Sequence, residues 1–326
     1  MQKPSIASSS QQRIEYIDIL RGLCMVLIVW YHTDHPDILD YPFYNTTLFF
    51  VSGMLFKPCA WRLFLIKIIQ KLIIPFSFFY FIYYLFLITT NYLKYHVVSP
   101  DISLSIFDVF RWYKDFDAYT CNYPLWFIWA LLWAQSLTNL FVRITKKPVF
   151  LFFISLAISS IGCIYIQHVP TPFIIGRSTT FLVYYVVGYL LSHYLIHNNV
   201  NNRLLMISTL MWLSFFIIKR FSMLSIFGVP IDILQNIAFS IILLQICKGL
   251  QHIFIHKALV FFGINSIILF GMHDMYLSIF RMITISITGK MDLIFGCINW
   301  ILVLFLMTPT IFFFNQYCPQ LIGKGK

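Results

Sequence analysis

Charged residues are scarce in this sequence. They make up 11% of the 326 residues, whereas hydrophobic residues make up 60% and the mean hydropathy is +0.80. In a soluble domain about 25% of the residues are charged. The composition therefore excludes an ordinary soluble domain and predicts a polytopic membrane protein that lies almost wholly within the lipid bilayer.

Motifs that would indicate several other functions are also missing. The seven cysteines are scattered and form no C-x-x-C pair, and several fall within apolar runs. We interpret them as small apolar side chains rather than as metal ligands or a disulfide framework. The sequence contains no glycine-rich phosphate loop, which argues against a pump driven by ATP.

The basic and histidine residues do not follow a nucleic-acid or metal pattern. The net charge of +11 is distributed over short loops between apolar runs, so we expect no nucleic-acid partner. Two H-x-x-x-H pairs, His193/His197 and His252/His256, have a spacing that can bind zinc. Neither pair is accompanied by a carboxylate or a cysteine, so we predict no metal site.

Long apolar runs account for most of the chain. A transmembrane helix needs about 20 apolar residues. The runs that approach this length lie roughly at residues 17–34, 42–57, 72–90, 122–143, 148–166, 174–195, 204–221, 231–248, 258–280 and 292–315. We therefore predict an all-α fold, a single polytopic bundle of about ten transmembrane helices spanning residues 17–318. Residues 1–16 are expected to form a flexible cytoplasmic N-terminus, and residues 319–326 a cytoplasmic tail.

The distribution of basic residues predicts the orientation of these helices. Cytoplasmic loops carry an excess of Lys and Arg. If the N-terminus is cytoplasmic, basic residues favour the inner loops over the outer loops by roughly two to one. We therefore expect a multi-pass protein of the inner (plasma) membrane with both termini in the cytoplasm. The first apolar run lacks a cleavage signature, so it is interpreted as a retained span.

The first apolar run carries an unusual polar stripe. It belongs to the stretch RIEYIDILRGLCMVLIVWYHTDHPDILD, and its charged or titratable residues are Asp18, Arg21 and His32. Asp18 and Arg21 are an i, i+3 pair. His32 follows Arg21 by about three helical turns, or about 16 Å, on the same face. Such groups inside a membrane helix are costly and usually mark a functional site.

This stripe resembles a motif of a known family. Asp18, Arg21 and Gly22, followed by His32, match the D-x-x-R-G pattern and the later histidine in the first helix of the acyltransferase family 3 membrane proteins. That family includes the O-acetyltransferases of bacterial surface polysaccharides and the fucose-4-O-acetylase-like group. Three further segments are similar to the family's motifs: Phe49, Phe50, Ser52 and Gly53 in the second span, Leu72, Pro75 and Phe76 before the third span, and Gly263, Ser266 and His273 in the ninth span.

The resemblance implies a membrane O-acyltransferase. The expected donor is acetyl-CoA or another acyl-CoA, used as a substrate with no permanently bound cofactor. The expected acceptor is a hydroxyl of a cell-surface polysaccharide or of its lipid-linked precursor, and membrane lipid is a further expected partner. Neutral imidazole is the usual base near pH 7, so His32 is the candidate base. Arg21 and Asp18 complete the predicted catalytic set.

Binding of the donor is expected to depend on cationic side chains. Guanidinium groups suit phosphate, and the family carries a basic segment before the third span. Here that segment contains Lys67 and Lys71, which are spaced i, i+4 and differ from the family's R-x-x-R pattern. We therefore predict that Arg21, Lys67 and Lys71 bind the donor phosphates.

Alternative interpretations remain open for these and other residues. Asp18 and Arg21 can be a purely structural pair, and the lysines can be ordinary cytoplasmic anchors. Asp34 and His35 either orient His32 or face water. His273 and Asp274 either shape the acceptor site or form a packed pair. Arg177 either binds an anionic sugar lipid or extends to the membrane interface.

Two other functions are also compatible with the sequence. Intramembrane Asp, Arg and His residues occur in secondary transporters and in carriers of lipid-linked glycans. The sequence shows no inverted repeat that would favour transport. A non-catalytic partner in polysaccharide assembly is the third possibility.

Overall fold

The computed structural model of the chain describes residues 14–33, 43–104, 106–107, 112–113, 123–197, 200–221 and 228–324. The predicted N-terminal segment lies mostly outside these residues, and Asp34 and His35 lie outside them entirely. Within the described ranges the fold is a bundle of α-helices with a single two-residue strand pair, β1 (Trp112–Tyr113) and β2 (Thr171–Pro172), which is antiparallel. The predicted all-α class is confirmed.

Fourteen α-helices lie in the described residues. The first seven are α1 (Glu15–Tyr31), α2 (Phe43–Met54), α3 (Trp61–Ile68), α4 (Ile74–Tyr95), α5 (Pro100–Leu104), α6 (Trp126–Ile144) and α7 (Pro148–Ile164). The others are α8 (Ile175–Thr179), α9 (Leu182–His197), α10 (Asn202–Phe221), α11 (Gly228–Gly249), α12 (His256–Ile264), α13 (Ser266–Thr288) and α14 (Leu293–Tyr317). A π-helix, Ile69–Ile73, joins α3 to α4.

Seven helical segments in the described part of the chain are long and apolar enough to cross a membrane. They are Trp61–Tyr95, Trp126–Ile144, Pro148–His168, Ile175–His197, Gly228–Gly249, Ser266–Thr288 and Leu293–Tyr317. The remaining predicted spans fall on α1, α2 and α10. With 12 residues, α2 is about 18 Å long, which is less than the roughly 30 Å of hydrocarbon. The protein is thus a multi-pass membrane helix bundle, and the number ten stays a prediction.

The first helix packs against α12 with almost no space between the two backbones. A Cβ atom placed on Gly22 would overlap the carbonyl oxygen of Leu259, and one on Gly263 would overlap the carbonyl oxygen of Asp18. Small residues are favoured where membrane helices approach closely, because dispersion contacts replace the hydrophobic effect as the driving force. The glycine of the first motif therefore fixes the position of the helix that carries Asp18 and Arg21.

A second close contact of the same kind joins α2 to α9. A Cβ atom on Gly53 would overlap the carbonyl oxygen of Tyr185, and one on Gly188 would overlap that of Phe50. From the sequence we expect the Ser52–Gly53 pair to allow close packing on the first helix, and for Gly53 the partner is wrong, since its close backbone contact is with α9. The contact places α2 in the interior of the bundle, where nine of its twelve residues are buried.

The last two long helices complete the surroundings of α1. Arg21 contacts Ser266 at the start of α13, and His32 lies beside His273 farther along the same helix. The two helices therefore run side by side in the same direction. The indole N–H of Trp300, in α14, donates to the Val26 carbonyl of α1 at 3.1 Å. This hydrogen bond satisfies a donor that would be costly to leave unpaired in an apolar interior.

Candidate functional site

A cavity of about 560 Å³ opens between α1, α2, α6, α13 and the segment that joins α3 to α4. Five basic side chains line it: Arg21, Lys57, Lys67, Lys71 and Lys324. The structure therefore brings together the three cations that the sequence predicted as phosphate ligands and adds two more. The cavity lies where α1 begins and α14 ends, so one end of the bundle carries a concentrated positive charge.

Arg21 is held on both sides. Its Nη2 donates to Ser266 Oγ at 2.8 Å, and its Nη1 lies 3.8 Å from Asp18 Oδ1. The Asp18 side chain is 6% exposed, whereas the Arg21 side chain is 33% exposed. The aspartate thus orients the guanidinium from the protein interior and leaves it accessible to the cavity. The partner Ser266 is 245 residues away, and the only sequence signal for it was its place in the ninth-span motif.

Lys67 and Lys71 reach the cavity from a helix that changes its winding. Lys71 lies in the π-helix, where the Ile74 N–H bonds to the Ile69 carbonyl. Pro75 has no N–H to donate to the Lys71 carbonyl four residues earlier, so the α-helical ladder is interrupted there. Single π turns are frequent at functional sites. The two lysines were predicted on one face of a helix. The structure places Lys67 in α3 and Lys71 in the π-helix, and both line the cavity.

The cavity is apolar away from its basic residues. Its other lining side chains include Leu48, Val51, Phe127, Ile128 and Phe270. Phe127 and Phe270 are stacked, with ring centroids 4.8 Å apart and planes 10° from parallel. Such a pocket, with a charged end and an apolar wall, suits a ligand that has both anionic groups and an uncharged arm.

A second polar level lies farther along α1, about three helical turns after Arg21. His32 follows the last residue of α1, and its ring centroid is 5.3 Å from that of His273. His273 is completely buried, and its Nδ1 lies 2.6 Å from the Leu269 carbonyl oxygen. Because a carbonyl accepts, Nδ1 carries the proton in this contact and Nε2 is the acceptor nitrogen. Nε2 has no hydrogen-bond partner among the residues that the structure describes.

Hydrogen bonds from neighbouring side chains hold the residues of this second level in place. Arg281 Nη2 donates to the His32 carbonyl oxygen at 3.3 Å. Asp274, next to His273, accepts a 2.8 Å hydrogen bond from the Tyr83 hydroxyl. His32 and His273 therefore sit in a layer that α1, α4 and α13 position together. The ninth-span motif includes His273, but the sequence did not predict that this residue lies beside His32, because the two residues are far apart in the chain.

Arg177 occupies a nearby position at the start of α8. Its guanidinium carbon lies 4.3 Å from the ring centroid of Trp126, which is 4% exposed. Two preceding residues, Phe173 and Ile174, have φ angles of 50° and 55°. Positive φ is strained for bulky side chains and clusters at functional sites. The structure thus directs Arg177 onto a buried aromatic face, where a cation–π contact holds it.

The described histidines of the two H-x-x-x-H pairs lie in different surroundings, and His256 Nε2 is 3.3 Å from Glu15 Oε1. The rings of His193 and His197 lie 4.7 Å apart on α9. Within the described ranges no three His, Cys, Asp or Glu side chains come together as a possible metal site.

Comparison with known proteins gives a match for one family. A family model described as an acyltransferase domain, Acyl_transf_3, matches residues 14–316. No curated protein sequence and no solved structure matches the chain. The matched range includes Asp18, Arg21, His32, Lys67 and Lys71.

Proposed function

Since this chain belongs to the acyltransferase-3 family and is a membrane acyltransferase, we propose that it is an O-acyltransferase that uses acyl-CoA as its donor. The acyl group is most simply acetyl, and the acceptor is a hydroxyl of a cell-surface polysaccharide or of its lipid-linked precursor. These finer assignments rest on the arrangement of the site residues and on their chemistry.

The observation that carries the proposal is the cavity with a cationic end and an apolar wall. Coenzyme A has phosphate groups at one end and an uncharged thioester arm at the other. Ammonium and guanidinium groups form short, charge-assisted hydrogen bonds with phosphate oxygens. The basic residues Arg21, Lys67 and Lys71 line one cavity of about 560 Å³, which supports a donor site for such a ligand.

In the proposed reaction, His32 removes the proton of the acceptor hydroxyl as its oxygen attacks the thioester carbonyl carbon. A C–O bond forms and the C–S bond breaks, and the histidine returns the proton to the departing thiolate. His273 lies within van der Waals range of this base and positions its ring. Arg21, oriented by Asp18, binds the donor, so the two levels of α1 serve the two substrates. No covalent enzyme intermediate is required.

The same geometry supports the expected orientation. Coenzyme A is too polar to cross lipid, so the cationic end of the bundle must face the compartment that contains it. We therefore place both termini in the cytoplasm and the protein in the inner membrane. Reporter fusions after Lys147 and after Lys114 should read inside and outside, respectively. Fusions that report the same side would contradict this topology.

The proposal is tested by mass analysis of surface glycan from cells that lack the chain. We expect each modified repeat to lose one acyl mass and to regain it when the wild-type chain is supplied. Purified protein with labelled acetyl-CoA and isolated glycan should then transfer the label. If glycan export falls while existing acylation persists, the transporter or carrier interpretation replaces the enzyme.

A further inference from the structure

The C-terminal segment Cys318–Lys324 folds back onto the bundle. After α14 ends at Tyr317, successive turns reverse the chain, with hydrogen bonds from Leu321 N to the Cys318 carbonyl and from Lys324 N to the Pro319 carbonyl. Ile322 is 3% exposed and joins the hydrophobic core. We call this segment the C-terminal turn.

The C-terminal turn packs against the π-helix that carries Lys71. Gly323 has a φ of 75°, which is unfavourable for residues with a Cβ atom. A Cβ placed there would come within 3.2 Å of the Gln70 carbonyl oxygen and 3.3 Å of Lys71 Cα. Ile322, Gly323 and Lys324 therefore form a wall of the cavity beside Lys71.

The side chain of Lys324 is positioned by two asparagines. Its Nζ donates to Asn265 Oδ1 and to Asn315 Oδ1, both at 2.6 Å. Asn315 Nδ2 also donates to Asn265 Oδ1 at 2.9 Å, which connects the last turn of α14 to the residue before α13. Amide oxygens orient an ammonium group and carry no net charge. The arrangement holds the ammonium group of Lys324 against Asn265. The next residue in the chain, Ser266, is the hydrogen-bond partner of Arg21.

We propose that Lys324 is a donor-binding residue and that the C-terminal turn completes the phosphate subsite of the cavity. The ligand class is a phosphorylated thioester carrier such as coenzyme A. This inference rests on the proposed function, because it identifies an additional ligand of the same donor. The turn brings the cation to the mouth of the cavity from the far end of the sequence, where Lys324 adds to Arg21, Lys67 and Lys71.

The test measures donor binding by purified full-length protein, with CoA and pantetheine as probes. Pantetheine has the uncharged arm of CoA and no phosphate. Lys324→Gln should weaken CoA binding by about tenfold, the effect of losing one charge-assisted contact. Its affinity for pantetheine should equal that of wild type. Lys324→Arg, which keeps the charge, should retain most of the CoA affinity.

Lys257→Gln is the matched control, since Lys257 is exposed on α12 and does not line the cavity. It should bind CoA as wild type does. Equal CoA affinity of wild type and Lys324→Gln would overturn the inference and leave the proposed function intact. Equal losses for CoA and pantetheine would also overturn it, because they would indicate a structural role. Absence of CoA binding by wild type would instead reject the donor assignment itself.

Discussion

The two polar levels along α1 differ in charge and in access to water. At the first level, Arg21 is partly exposed, is held by Asp18 and Ser266, and shares a cavity with four lysines. At the second, His273 is fully buried and its Nδ1 donates to the Leu269 carbonyl. A permanently charged level suits recognition of an anion, whereas paired imidazoles suit proton transfer. In the proposed function, one helix therefore serves both the donor and the acceptor.

The distance between the two levels of α1 is the distance that the donor has to span between its bound phosphates and the reacting acyl group. Along α1, Arg21 and His32 are about 16 Å apart, and along α13, Ser266 and His273 are about 10 Å apart. Along α13, Phe270 lies between Ser266 and His273, and it stacks on Phe127 to form an aromatic layer in the cavity wall. We expect the acyl group of the donor to pass this aromatic layer on its way from the cationic level to His32. Substitutions at each level should separate donor binding from acyl transfer.

The largest effect is expected from removal of the base. His32→Ala should lower the rate of acyl transfer by about 10²–10⁴, because that is the usual contribution of a general base. Its affinity for CoA should be unchanged, since His32 lies at the other level. Initial rates and CoA titrations of purified protein measure the two effects separately.

His193→Ala is the control for this variant, because His193 is exposed on α9 and outside both levels. It should transfer acyl groups at the wild-type rate. A well-expressed His32→Ala protein with wild-type activity would show that the base is another group. Loss of CoA binding in that variant would show that the two levels are not separate sites.

A smaller effect on the rate is expected at His273, and one substitution distinguishes the roles of its two ring nitrogens. In His273→Asn the side-chain amide N–H takes the place of Nδ1–H and can still donate to the Leu269 carbonyl, whereas nothing replaces Nε2. If Nε2 contributes to catalysis, the rate should fall about tenfold or more with little change in thermal stability. A rate like that of wild type would indicate that His273 has only a structural role, in packing and in donating a hydrogen bond to the Leu269 carbonyl.

The sequence predicted the class of fold, and it predicted three of the cations that line the cavity. Long apolar runs are directly visible in the sequence, and the helical period placed Asp18, Arg21 and His32 on one stripe. Tertiary partners were not visible in this way. Ser266, Lys324 and His273 come from the far end of the chain. The close packing of Gly22 on α12 and the hydrogen bond from Trp300 in α14 to the Val26 carbonyl bring this part of the chain to α1.

Local backbone geometry was the other feature that sequence patterns did not predict. The spacing of Lys67 and Lys71 indicated one face of an α-helix, but Pro75 removes a donor and the helix widens at Ile69–Ile73. The length of α2 was also overestimated, because apolar residues at 42–57 continue past the end of the helix at Met54. Hydropathy reports burial, whereas helix ends depend on capping and on tertiary contacts.

At the cationic level, we expect Arg21→Gln to change donor binding more than chemistry. Loss of the guanidinium should raise the Kd for CoA by about tenfold, as for other contacts with charged groups. The rate at saturating donor should change much less. Arg203→Gln, an exposed position on α10, is the control. A lower saturated rate with unchanged Kd would mean that Arg21 acts on the reacting groups, and the two levels would then form one site.

The smallest effect concerns the aromatic layer between the levels. Phe270→Leu keeps an apolar side chain but removes the ring that stacks on Phe127, so it should leave acetyl transfer within about threefold of wild type. The added space should favour longer acyl groups, and the ratio of butyryl to acetyl transfer should rise by about tenfold, the value of one or two methylenes in an apolar pocket. Competition between acetyl-CoA and butyryl-CoA measures this ratio directly. Phe153→Leu, on the exposed face of α7, is the control. If the ratio is unchanged in Phe270→Leu, the acyl group does not pass this layer, and the route from the cationic cavity to His32 must follow another side of α1.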